Sequence, residues 1–198
     1  MTIELDKVSK KFGQQWIFRQ VSARFEAGRP AAIIGANGSG KSTLLKLISG
    51  IVSPNAGTVS YTLHGKAIAV DDIHRHISYT APYLEVPEEL TLSELISFHS
   101  EQRALHGISP AELIKQLDIP ATKEIRNCSS GMKQRVKLAL AFYTRSDLLL
   151  LDEPTANMDD HWKQWYRSLL AADTQTRTTI ICSNDKEEYE MAEVKVTL

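Results

Sequence analysis

The sequence has 198 residues, enough for one domain with a real core and too few for two ordinary ones. Its formal net charge of -1, from 23 Lys and Arg against 24 Asp and Glu, gives no electrostatic ground for nucleic acid or an anionic membrane surface as the main partner. No apolar run approaches the roughly 20 residues needed to cross a bilayer. Cys128 and Cys182 have neither the density of a disulfide scaffold nor metal-site spacing, so a reduced cytosolic setting is expected.

The chain opens on a short apolar alternation, Ile3, Leu5 and then Val8, with no basic segment leading into an apolar run, so no signal peptide is expected. Strands are predicted over Thr2–Leu5 and Val21–Phe25, the latter closed by Ala27-Gly28-Arg29-Pro30. Ala31–Ile34 is apolar without alternation, as in a strand buried on both faces, and runs into a glycine-rich segment that opens a helix from Ser42 to about Ser49. Gly50 suits its C-terminus. Strands follow at Thr58–Leu63 and Ile77–Thr80.

The middle of the chain then turns helical. Thr91-Leu92-Ser93-Glu94 has the form of a capping box before a helix to about His106, and Ser109-Pro110-Ala111-Glu112 repeats it with proline at the first helical position. A third helix is predicted over Ser130–Tyr143. Leu148–Leu151 and Thr179–Cys182 read as further buried strands around a helix at Asp160–Leu170, with a last strand at Val194–Leu198. Strands alternating with helices predict an α/β fold with a mostly parallel sheet covered on both faces, and the consecutive middle helices, about 84–145, read as an inserted subdomain of one domain spanning 1–198.

Gly35-Ala36-Asn37-Gly38-Ser39-Gly40-Lys41-Ser42 matches G-x-x-x-x-G-K-[ST] between a predicted strand and a predicted helix, the context that makes the pattern a phosphate-binding loop (Walker A). Glycines there allow backbone N–H groups from Gly38 through Ser42 to converge on a phosphate, and the helix N-terminus adds a favourable dipole. The nucleotide-contact candidates are Gly35, Asn37, Gly38, Ser39, Gly40, Lys41, Ser42 and Thr43. Lys41 is expected on the β- and γ-phosphates of a nucleotide and Ser42 on Mg2+. A glycine-rich turn with a solvated lysine is the bland alternative.

Leu148–Leu151 leads into Asp152-Glu153-Pro154, which places two acids at the C-terminal end of a buried strand, the edge where ligands bind open α/β sheets. Asp152 is expected to hold Mg2+ and Glu153 to polarise the attacking water. Alone, the pair would be a solvated strand end.

Cys128-Ser129-Ser130-Gly131-Met132-Lys133-Gln134-Arg135 resembles the signature segment of the ATP-binding cassette (ABC) ATPase family, L-S-G-G-Q followed by a basic stretch; Ser129 and Gly131 match it, while Cys128, Ser130 and Met132 depart. Asp152 through Asp159 is similar to that family's Walker B and D-loop, so the resemblance covers essentially the whole chain. It implies a P-loop NTPase fold with an N-terminal antiparallel β-subdomain and an inserted α-helical subdomain. It also implies adenine stacking on Phe12, and a head-to-tail dimer with itself or a homologous subunit in which Ser129 and Gly131 close over the partner's ATP. Ser129 also reads as a plain helix cap, and Phe12 as core packing. Lys133, Arg135 and Lys137 read as a solvated helix face, and Glu187, Glu188 and Glu190 as solvent-facing acids.

Two positions depart from the family. Where it carries a glutamine after Ile77–Thr80, this chain has Ala81-Pro82-Tyr83, so no magnesium ligand is expected from that loop. The switch histidine maps onto Asn184, which donates an amide hydrogen bond but does not ionise, so slower hydrolysis through Glu153 is expected. The expected function is an ATP-hydrolysing transporter subunit, compact like small exporter-type subunits, bound to separate transmembrane subunits at the cytoplasmic face of the membrane. The alternatives are a cytosolic ABC ATPase that remodels protein or nucleic acid and a low-turnover nucleotide sensor.

Overall fold

Two kinds of hydrophobic pattern build two kinds of sheet. In the computed structural model, which describes residues 1–173 and 177–198, the strands in chain order are β1 (Thr2–Phe12), β2 (Gln15–Glu26), β3 (Ala31–Ile34), β4 (Ala56–Leu63), β5 (Lys66–Ile68), β6 (Ile77–Thr80), β7 (Leu148–Asp152), β8 (Thr178–Cys182) and β9 (Val194–Thr197). The α-helices are α1 (Lys41–Ile48), α2 (Leu92–Gln102), α3 (Pro110–Leu117), α4 (Ser130–Tyr143) and α5 (Asp160–Asp173).

The alternating segments form an antiparallel sheet in the order β2-β1-β4-β5, with Ile3 and Leu5 buried on one face and Glu4 and Asp6 exposed on the other. Continuous apolar runs form a parallel sheet in the order β6-β7-β8-β3-β9. The four leucines of β7 show why that run has no alternation. Leu148 and Leu150 join the core shared with Ile3, Phe25, Leu44 and Ile48, while Leu149 and Leu151 join another core with Phe142, Tyr166 and Leu170. Both faces of the strand are covered, one by α1 and the antiparallel sheet and the other by α4 and α5.

The middle helices bury Leu92, Ile96, Leu113, Leu117, Val136 and Leu140 in a cluster of their own. Thr91 and Ser109 each accept from the backbone N–H three residues on and receive the reciprocal glutamate, so both capping boxes form. Helix α2 stops at Gln102 rather than near His106, because Arg103 leaves helical geometry and its guanidinium donates 2.7 Å to the carbonyl of Ile77. Strand β1 runs past Leu5 to Phe12 across register shifts with β2, and β5 is an addition that its three short residues did not announce.

Two expectations about surface charge are corrected. The basic face of α4 is not solvated: Arg135 is 8% exposed, donates to the carbonyl of Leu117 at 3.0 Å and stacks on the Trp162 ring at 3.9 Å. Lys137 donates to the carbonyls of Ala81, Pro82 and Leu84, and Lys133 pairs with Glu88. Long aliphatic stems let these side chains cross packed surface and deliver the cation to carbonyls at a helix end and a loop. Glu188 is buried as well, accepting from the backbone N–H and the hydroxyl of Thr155, whereas Glu187 and Glu190 are exposed as expected.

Candidate nucleotide site

Strand order and register assemble the site. Neighbouring β7, β8 and β3 pair Asp152 with Cys182 and Cys182 with Ile33, so three loops leave the sheet at one level. They carry Glu153, then Ser183 and Asn184, then the loop from Gly35 to Lys41. On the other side of β7, Thr80 pairs with Leu151, which sets Ala81-Pro82-Tyr83 beside Asp152.

The loop from Gly35 to Gly40 is shaped by positive φ at Gly38 (80°) and Gly40 (101°), and Gly40 forms the N-cap of α1. A Cβ at Gly40 would lie 2.4 Å from Ile17 Cγ2, so strand β2 lies directly against the loop and only glycine fits between them. Lys41 is 5% exposed, and its ammonium donates to the carbonyls of Gly35 at 2.9 Å and Ala36 at 3.0 Å. Among the described residues it has no carboxylate partner. A buried cation satisfied only by neutral carbonyls leaves positive charge uncompensated, which fits an anionic ligand. Ser39 Oγ, buried in the same loop, has no hydrogen-bond partner among the described residues. Ser42 and Thr43 follow Lys41 in the first turn of α1.

Asp152 is 1% exposed, and burial raises its pKa above the ordinary value while hydrogen bonds from Ser42 and Tyr83 oppose that rise. A carboxylate and a hydroxyl supply hard oxygen donors that suit Mg2+. No group of three or more His, Cys, Asp or Glu side chains among the described residues could cage a metal.

Glu153 follows in left-handed geometry, φ 42°, held by its N–H on the carbonyl of Cys182 at 2.8 Å. Such a conformation costs about 1–3 kcal/mol for a non-glycine residue and persists where its surroundings impose it. Glu153 lines a cleft of about 370 Å³ that Asn37, Asn157, Ser183 and Asn184 also line. Across that cleft the Asn184 amide donates to Asn37 Oδ1.

Phe12 is 55% exposed and so is not core packing; the Lys10 ammonium sits 5.2 Å from its ring centroid. Trp16, on the same hairpin and 37% exposed, is a second aromatic face that the sequence did not single out. Ser129 caps α4 by accepting from the Met132 N–H at 3.2 Å, and it is exposed. Neither Ser129 nor Gly131 lines the cleft that holds Glu153. The helix is nonetheless tied to the acid loop: Gln134 donates to the carbonyl of Pro154 at 2.8 Å, and a Cβ on Gly131 would stand 2.8 Å from the carbonyl oxygen of Asn157.

The sequence does not mark two residues of the site: Tyr83 stands in the loop that departs from the family, and Glu188 reads as a solvent-facing acid. Tyr83 donates 3.2 Å to Asp152 Oδ2 and exchanges a hydrogen bond with the Tyr79 hydroxyl; burial raises its pKa to about 12. Glu188 holds Thr155, two residues beyond Glu153. Neither position has a motif, and only the β6–β7 register and the packing of the 185–188 turn reveal them.

Fold and site together define the phosphate-loop NTPase fold, with two acids at a neighbouring strand end. The ABC transporter family profile matches residues 18–156, and the chain belongs to that family. The chain is 33% identical over 94% of its length to the Fe(3+) ions import ATP-binding protein FbpC 3 of Rhodococcus jostii, of which it covers 56%. It thus spans about half the length of such transporter ATP-binding proteins. In fold it resembles a putative ABC transporter ATP-binding protein from Pyrococcus furiosus, with a TM-score of 0.84 at 22% identity over 100% of this chain and 98% of that one. It also resembles a dimeric ATP-binding cassette in a post-hydrolysis state with ADP and Pi, with a TM-score of 0.78 at 22% identity over 99% and 94% of the two chains. No helix among the described residues is long and apolar enough to cross a membrane.

Proposed function

We propose that residues 1–198 form one ABC ATPase unit that binds and hydrolyses ATP, works as a head-to-tail dimer with itself or a homologous subunit, and powers separate transmembrane subunits from the cytoplasmic face of the membrane. The observation that carries this reading is the buried Lys41 ammonium, without a carboxylate partner among the described residues, on the strand level that also presents Asp152 and Glu153.

In this reading the backbone N–H groups from Gly38 to Ser42 receive the phosphates, and Lys41 exchanges its carbonyl partners for phosphate oxygens. Phe12 stacks on the adenine. Ser42 and Asp152 would hold Mg2+, which would supply charge neutralisation at the phosphate oxygens. Glu153 orients the attacking water and takes its proton as the water oxygen adds to the γ-phosphorus and ADP leaves. Asn184 donates toward the γ-phosphate, and the lack of an ionisable side chain there makes turnover slow. Ser129 and Gly131 act on the partner's nucleotide, which accords with the exposure of Ser129 and its distance from the cleft of its own chain. ATP and ADP favour closed and open dimers differently, and that difference drives the membrane partner.

The test is ATP binding by calorimetry and phosphate release for Lys41→Ala and Glu153→Gln. Lys41→Ala is expected to lose at least about tenfold in ATP affinity, since a charge-assisted bond is worth about 1.5–3 kcal/mol. Glu153→Gln is expected to bind ATP and to turn over about 10²–10⁴-fold more slowly. Unchanged affinity in the first, or an unchanged rate in the second, overturns the proposal.

A further inference from the structure

Tyr83 is 47% exposed, yet its hydroxyl reaches inward to Asp152, which is 1% exposed. The ring is fixed on two sides: the Lys46 ammonium of α1 lies 4.2 Å from its centroid, and Tyr79 holds its hydroxyl. The backbone that carries it is fixed too, because Lys137 of α4 gathers the carbonyls of Ala81, Pro82 and Leu84 at 3.1, 3.0 and 3.1 Å. Three separate elements therefore converge to keep one phenol on one carboxylate, an investment that the packing of a half-exposed ring does not require.

A phenol at neutral pH keeps its proton. The Tyr83 hydroxyl donates to Asp152 Oδ2 and accepts from Tyr79, which orders the donors Tyr79 to Tyr83 to Asp152 and leaves the carboxylate's remaining lone pairs, with the Ser42 hydroxyl, as the face open to a cation. Partners of this kind fix the orientation of a metal-ligating carboxylate, and their removal typically costs 10–100-fold in metal affinity.

We propose that Tyr83, oriented by Tyr79 and by the Lys137-held loop, is a positioning residue for the divalent cation that accompanies the nucleotide: it holds Asp152 in the orientation that receives the ion. The proposal rests on the reading of this cleft as a nucleotide site. It assigns to the loop after β6 a metal-site role that Ala81 and Pro82 lack the side chains to play.

The experiment titrates Mn2+ into the full chain with saturating ADP, following free Mn2+ by electron paramagnetic resonance, for the wild type and Tyr83→Phe. ADP affinity in excess EDTA and the urea midpoint are measured alongside. Tyr83→Phe is expected to weaken Mn2+ binding about tenfold, with metal-free ADP affinity and the urea midpoint close to wild type. Mn2+ affinity within twofold of wild type, with ADP still bound, overturns the role of Tyr83 and leaves the nucleotide site standing. An equal loss of metal-free ADP affinity overturns it as well, since the phenol would then serve the loop rather than the ion. A wild-type chain that binds no ADP overturns the nucleotide site and this inference together.

Discussion

Glu188→Ala tests whether the turn after β8 braces the acid loop. Glu188 is 5% exposed, and one of its oxygens accepts both the Thr155 N–H, at 2.8 Å, and the Thr155 hydroxyl. Alanine strands two donors in a segment where Thr155 is itself 4% exposed, so water does not replace the acceptor freely. At about 1–3 kcal/mol for each unsatisfied buried donor, partly offset by removing a carboxyl that is poorly solvated, the cost is about 2–4 kcal/mol. For a chain of this size that is a fall of roughly 4–16 °C in melting temperature. Glu188→Gln keeps an acceptor oxygen and is expected to stay within about 1 kcal/mol of wild type near neutral pH.

The same residue predicts a sign with pH. Burial raises the Glu188 pKa in the fold above its ordinary value of 4.5, so between that value and the folded pKa the native state binds more protons than the unfolded chain. Its contribution to stability is therefore fully present below pH 4.5 and declines as pH rises through the folded pKa. Glutamine has no such titration, so the stability of wild type relative to Glu188→Gln falls with rising pH across that window. Urea unfolding followed by circular dichroism at several pH values measures both effects. A loss below about 0.5 kcal/mol for alanine, or a wild-type advantage over glutamine that grows with pH, refutes the reasoning.

Asn184→His restores an ionisable donor opposite Asn37 and is expected to speed single-turnover hydrolysis; an unchanged or slower rate counts against slow turnover through Asn184. Gly131→Ala puts a methyl 2.8 Å from the Asn157 carbonyl oxygen, so the acid loop or the start of α4 must shift. ATP-dependent dimerisation, read by light scattering in the Glu153→Gln background, is expected to fail while ATP binding persists. A dimer as stable as that of the parent excludes the tight contact as a determinant of assembly.

What the sequence by itself determined is the local chemistry. Unbroken apolar runs marked the doubly buried strands, Ser and Thr with Glu three residues later marked two helix starts, and glycine spacing marked the loop around Lys41. These signals are legible because neighbours in the chain generate them, through side-chain periodicity, capping and positive-φ geometry. Only the tertiary structure decided which charged and aromatic side chains leave solvent for partners inside the fold. Arg135 and Lys137 look like ordinary solvated residues until α3 and the 81–84 loop present carbonyls to them, and Glu188 looks exposed until Thr155 folds over it. Tyr83 meets Asp152 because strand register, not spacing in the chain, makes Thr80 the neighbour of Leu151. A residue's environment in water is set by the chain around it, but its environment in the core is set by elements that arrive from elsewhere, and the sequence carries no local mark of that arrival.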